Sequence, residues 1–173
     1  IGRCYWISGS FELAIENLEK ALDLSNEFRG DYIRVEAIIA IGNVYSTLEM
    51  FDLALTNYNQ ALNIAEVQGF DILVSKALNN LGALHEELKN DQIALDYYHR
   101  SLDKSIEIDD FYGVGIANLN AGNMYFNLKK MKDAKNYLSK AIDYAEENGK
   151  TLLLAHAFFT LGSMSLDESN YEK

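Results

Sequence analysis

Glycine returns every 40 residues along this chain, at Gly2, Gly42, Gly82, Gly122 and Gly162. The sequence holds only 11 glycines, so five in one register mark a repeat rather than composition. Alanine keeps the same period at Ala14, Ala54, Ala94 and Ala134, and again at Ala37, Ala77, Ala117 and Ala157. Such a period implies a stack of supersecondary units, none of which can bury its apolar faces alone. Within one period, Ala37, Ile38, Ile41, Val44 and Tyr45 fall on one helical face. Ala54, Tyr58, Ala61, Leu62 and Ala65 fall on another, so each period holds two helices.

Turn and cap formers (Gly30, Gly69, Asn90, Asp109, Asp110, Gly149) separate the helical stretches. The spacing predicts helices over 11–28, 31–48, 51–68, 71–88, 91–108, 111–128, 131–148 and 151–168. Each is about 25 Å long at the usual rise. Asp31, Asp71, Asp110 and Thr151 are the expected N-caps of the first helix in each hairpin. Proline is absent, which suits uninterrupted helices. The glycine column lets the first helix of a hairpin approach its partner closely, and the large residues fill the space on either side.

Ile38, Ile41-Gly42, Tyr45, Ala54, Tyr58 and Ala61 resemble the tetratricopeptide repeat, as do Leu78, Leu81-Gly82, His85, Ala94, Tyr98 and Ser101. Leu18 and Leu138 replace the second-helix aromatic, the period exceeds the usual 34, and the closing proline is missing. The longer form is similar to kinesin light chain, to polarity adaptors with GoLoco tails, and to many bacterial regulators. The resemblance implies an all-α, right-handed superhelical solenoid of antiparallel helix hairpins. It makes residues 1–173 a single array, with partial repeat 1–30, full repeats 31–70, 71–110 and 111–150, and partial repeat 151–173. With no initiator Met, and with Leu152, Leu153, Phe158, Phe159 and Leu161 expected to be exposed on the last helix, the chain reads as a fragment of a longer protein. Its uncapped ends would favour self-association.

The residues hold no constellation for chemistry. His85, His99 and His156 lack metal-ligand spacing, and His85 stands in a packing column. Gly113-Val-Gly115 has neither the preceding strand nor the third glycine of a phosphate-binding turn, and reads as a loosened helix turn or a close helix contact. Glu86-Glu87, Asp109-Asp110 and Glu146-Glu147 are sequence neighbours that do not face each other on a helix. No nucleophile motif occurs, and the lone Cys4 has no evident base. The chain is therefore read as no enzyme, with no cofactor and no metal. A net charge of −11 opposes binding to nucleic acid. No apolar run is long enough to span a membrane. The single cysteine fits a reducing, cytoplasmic setting.

In tetratricopeptide arrays the first helices line a concave side. By that resemblance the lining is Glu36, Ile39, Asn43 and Thr47, then Lys76, Asn79, Asn80 and Glu86, then Leu119, Asn120, Asn123 and Phe126, then Phe159. Arg3, Trp6 and Ile7 would continue it. An amide both donates and accepts, so Asn43, Asn80 and Asn123 suit an extended peptide backbone. The chaperone-binding subfamily is a poor match, because Ile39, Ile116 and Asn120 stand where its cations belong. Glu36, Glu86 and Glu87 instead favour a neutral or basic segment. The expected function is a non-catalytic protein- or peptide-binding module, the sensory or regulatory part of a larger signalling protein. The alternative is a passive adaptor that docks one protein onto another.

Overall fold

The computed structural model describes residues 10–27 and 30–171. Eight α-helices fill this span: α1 Phe11–Glu27, α2 Asp31–Thr47, α3 Phe51–Gln68, α4 Asp71–Glu87, α5 Asp91–Glu107, α6 Phe111–Asn127, α7 Met131–Glu147 and α8 Thr151–Tyr171. No strand occurs among the described residues. The boundaries follow the expected ones to within a residue or so, except that α8 runs three residues further.

Six turns share one device. Each helix from α2 to α7 ends with a residue in left-handed backbone: Glu49, Gly69, Lys89, Asp109, Lys129 and Gly149. The next residue's N–H reaches back to the carbonyl five residues earlier, as Met50 does to Tyr45, and Asn90 to His85. This is the Schellman closure, which satisfies orphan carbonyls at a helix end. Glycine stands at only two of the six positions, so the turn is imposed chiefly by hairpin packing.

The expected side-chain N-caps are not formed. Asp31 and Asp71 are the first helical residues rather than caps, and Asp110 occupies the cap position without a capping hydrogen bond. The acids at positions 31 and 71 instead sit in the first turn, where the helix dipole favours negative charge.

The chain divides into two compact units, residues 1–84 and 85–173. In the first, α2 packs between α1 and α3. Ala14 and Leu18 meet Ala37, Ile41 and Val44 in its core. A Cβ at Gly42 would lie 2.6 Å from the Tyr58 ring, so only glycine lets α2 meet α3 at this depth. In the second unit, α6 packs on α5, α7 and α8. Leu119, Leu138, Ala141, Leu153 and Met164 share one core. Gly115, expected as a loosened turn or a close contact, is the latter: a Cβ there would enter the Tyr144 ring.

On α8, Leu152, Phe158 and Phe159 are exposed as expected. Leu153 is not, because it is buried in the core of the second unit. No helix among the described residues is long and apolar enough to cross a membrane.

Candidate functional site

In the first unit, Asn43 is the centre of a polar junction. Its Oδ1 accepts the Tyr58 hydroxyl at 2.7 Å and the Asn80 Nδ2 at 2.9 Å. Tyr58 comes from α3 and Asn80 from α4, so one amide oxygen ties three helices together. Burial pushes the Tyr58 phenol up to about 12, which keeps it a donor to Asn43 throughout the neutral range. A small cavity of about 260 Å³ opens here, lined by Asn43, Ser46, Thr47, Tyr58, Asn80 and Ala83. Thr47 turns its hydroxyl onto the Asn43 carbonyl at 2.9 Å. Beside the junction, Lys76 stands 4.0 Å from Glu36, both partly exposed, a pair worth little in water.

The second unit repeats the junction 80 residues on. Asn123 Oδ1 accepts the Thr160 hydroxyl at 2.8 Å. Leu138 replaces the tyrosine, so this amide lacks the phenol donor. An apolar cavity of about 520 Å³ lies between α6 and α8. Ile116, Leu119, Leu152 and Leu153 are its apolar lining, and Asn120, Asn123, Lys150 and His156 are among its polar lining. Phe126 lies under Lys129, whose Nζ is 5.3 Å from the ring centroid and 2.7 Å from the Asp167 carboxylate. Phe159 is 75% exposed.

Two of the expected lining residues are placed otherwise. Ile39 is buried, 1% exposed, and serves packing rather than a surface. Its stripe with Asn43 is correct as helical geometry, but the neighbouring helices cover that flank. Glu86 does not stand free for a cation. It accepts the Tyr98 hydroxyl at 2.8 Å and the Asn127 amide at 3.3 Å. Asn79 is half-buried and engaged by neighbours, as is Asn120 on its cavity rim. Arg3, Trp6 and Ile7 lie outside the described residues. Sequence reasoning missed Tyr58 and Thr160 as partners of the asparagines. The Asn43–Asn80 and Asn123–Thr160 pairs each join the residue after one anchor glycine to the residue two before the next, a regularity that becomes visible once one such contact is known, whereas Tyr58 lies outside that register.

Burial raises the Glu86 carboxyl above its ordinary range, against the lowering effect of the Tyr98 hydrogen bond. A carboxyl whose folded value exceeds its unfolded value stabilises the fold at low pH. That contribution is lost as pH rises from the ordinary carboxylate range through the raised value. Glu86→Gln is therefore expected to flatten the pH dependence of stability in that window, as read from urea midpoints across mildly acidic pH.

His85 stacks on Tyr97 with centroids 5.4 Å apart, and His99 lies against Tyr125 and Tyr137. Among the described residues, no group of three or more His, Cys, Asp or Glu side chains is placed to hold a metal ion.

The fold has close counterparts among solved structures. Aspartyl phosphate phosphatase F from Bacillus subtilis superposes with a TM-score of 0.87 at 17% identity, over 92% of this chain and 42% of that one. A Rap protein complexed with competence and sporulation factor gives 0.79 at 18% identity, over 96% and 52%. The kinesin light chain repeats of Podosopora anserina give 0.67 at 13% identity, over 99% and 88%. At these identities the likeness is one of fold. The chain spans about half or less of the length of the first two. No curated protein sequence matches it. Models of the tetratricopeptide repeat match residues 1–66, 35–105 and 116–148. With its register of glycines, its helix hairpins and these matches, the chain belongs to the tetratricopeptide repeat family.

Proposed function

We propose that this chain is a non-catalytic module that binds an extended segment of a protein or peptide and relays its presence as a regulatory signal. The observation that carries the reading is the half-used amide. Asn43 and Asn80 spend one atom each on their mutual bond, which leaves Asn43 Nδ2 and Asn80 Oδ1 beside a polar cavity. A donor and an acceptor fixed side by side match the alternating groups of a peptide backbone. Holding them rigid before binding lowers the ordering cost that weakens most peptide complexes.

The structural likeness to a Rap protein bound to competence and sporulation factor, and to a Rap conjugation regulator bound to the Phr* peptide, supports a peptide as ligand. One counterpart is named a phosphatase, but the chain spans 42% of it, and at 17% identity the likeness is one of fold.

The test is to isolate a natural partner and measure its affinity for wild type, for Asn80→Ala with Asn123→Ala, and for the exposed α3 variant Gln60→Ala. Loss of about 1 kcal/mol per asparagine is expected, with Gln60→Ala unchanged. Equal weakening by Gln60→Ala would move the site to the second helices.

A further inference from the structure

The sequence expectation of a neutral or basic ligand rested on Glu36, Glu86 and Glu87. The structure has already engaged two of them: Glu36 beside Lys76, and Glu86 under Tyr98 and Asn127. The cavity between α6 and α8 carries the opposite sign. No carboxylate lines it, and its charged or chargeable rim consists of Lys150 and His156. Lys150 lies with its Nζ 5.7 Å from the centroid of the Tyr112 ring, another wall of the cavity, and forms no ion pair among the described residues. In a chain of net charge −11, a lysine and a histidine without acids on an apolar hollow are a local reversal.

We infer that this cavity is a recognition site for a bulky apolar side chain with a carboxylate beside it, borne on an extended peptide. This deepens the peptide-binding reading above and rests on it for the backbone. Ile116, Leu119, Leu152 and Leu153 supply the apolar lining for that group. About 520 Å³ lies within the range of small-ligand pockets and exceeds what one aromatic side chain fills, leaving room for its flanking backbone. The amide of Asn123 stands at the rim for that backbone, and the Lys150 ammonium and the His156 ring N–H are the groups offered to the acid. Buried apolar anchors dominate affinity, while rim charges set selectivity and association rate. The apolar group therefore decides whether a peptide binds, and the carboxylate decides which.

The experiment uses fluorescein-labelled blocked hexapeptides carrying a central Phe-Asp, Phe-Asn, Phe-Lys or Ala-Asp pair, titrated by fluorescence anisotropy against the whole chain. Phe-Asp is expected to bind roughly three- to tenfold more tightly than Phe-Lys at low salt, with the gap closing as salt rises. Ala-Asp is expected to bind weakest. Lys150→Glu with His156→Gln should abolish the Phe-Asp preference while Phe-Asn binding holds, and both side chains sit on the surface, so the fold is kept. Equal affinity for Phe-Asp and Phe-Lys, or a preference that survives the double variant, overturns the inference, as does an absence of binding by all four peptides. The two readings fail separately. A natural partner that senses Asn80→Ala but ignores the cavity variants leaves the peptide-binding module standing without this site. Hexapeptides that bind while the natural partner ignores the asparagines do the reverse.

Discussion

Replacing Gly122 with leucine is expected to destabilise the second unit by 3 kcal/mol or more, at or beyond the upper end of ordinary overpacking costs of about 1–3 kcal/mol. A Cβ at Gly122 would lie 2.8 Å from Leu138 Cγ and 3.2 Å from the Leu138 backbone nitrogen. The side chain could rotate aside at some cost, but the backbone of α7 cannot retreat without unseating Ala134 and Ala141 from the same core. Gly162 occupies the same column one period on, and nothing stands within 4 Å of a Cβ there. Gly162→Ala should therefore stabilise α8 by roughly 1 kcal/mol, through helix propensity alone. Thermal melts of the two variants should move in opposite directions. A Gly122→Leu melt unchanged from wild type would mean that the glycine column does not mark close packing.

The second large effect is a gain. Asn118 is 2% exposed, and its Oδ1 has no hydrogen-bond partner among the described residues. Its Nδ2 donates to the Val114 carbonyl one turn back in α6. The same column holds Ile38 and Leu78 in the earlier repeats. A buried acceptor left unmatched costs about 1–3 kcal/mol, and leucine is close to asparagine in shape. Asn118→Leu is expected to raise stability by about that amount, measured as a higher urea midpoint at unchanged slope. A lower midpoint would mean that the amide is matched in solution, and that the polar position is part of the fold.

The helices and their hairpins were legible because the glycine and alanine columns state where backbones touch. A repeat writes the same constraint several times, and Gly42 against Tyr58 and Gly122 against Leu138 answer it with the same contact. Capping was not legible: Asp31 and Asp71 look like N-caps, yet each is the first residue of its helix, and before Asp71 it is the Schellman turn that shifts the acid one place in. The site was legible in part. Asn43, Asn80 and Asn123 could be selected, but their spacing did not reveal that Asn43 and Asn80 bond each other, or that Asn123 takes Thr160. Ile39 and Glu86 were misplaced for one physical reason. A helical stripe identifies residues that share a face, while the crossing of the next helix decides how much of that face remains open. The cavity beside Lys150 escaped notice because Lys150 and His156 lie on either side of the α8 start, outside any single stripe.

Tyr58 and Tyr98 turn two structural supports into optical markers. Each phenol is buried and hydrogen-bonded, one to Asn43 and the other to Glu86, and both are held from ionising well beyond the ordinary tyrosine range. One belongs to the first unit and one to the second. In alkali, each phenol releases its proton at lower pH once its own hairpin opens than while it is folded. Phenolate absorbance, with Tyr58→Phe and Tyr98→Phe to assign the two signals, thus offers a separate clock for the opening of each half of the chain, with no label added.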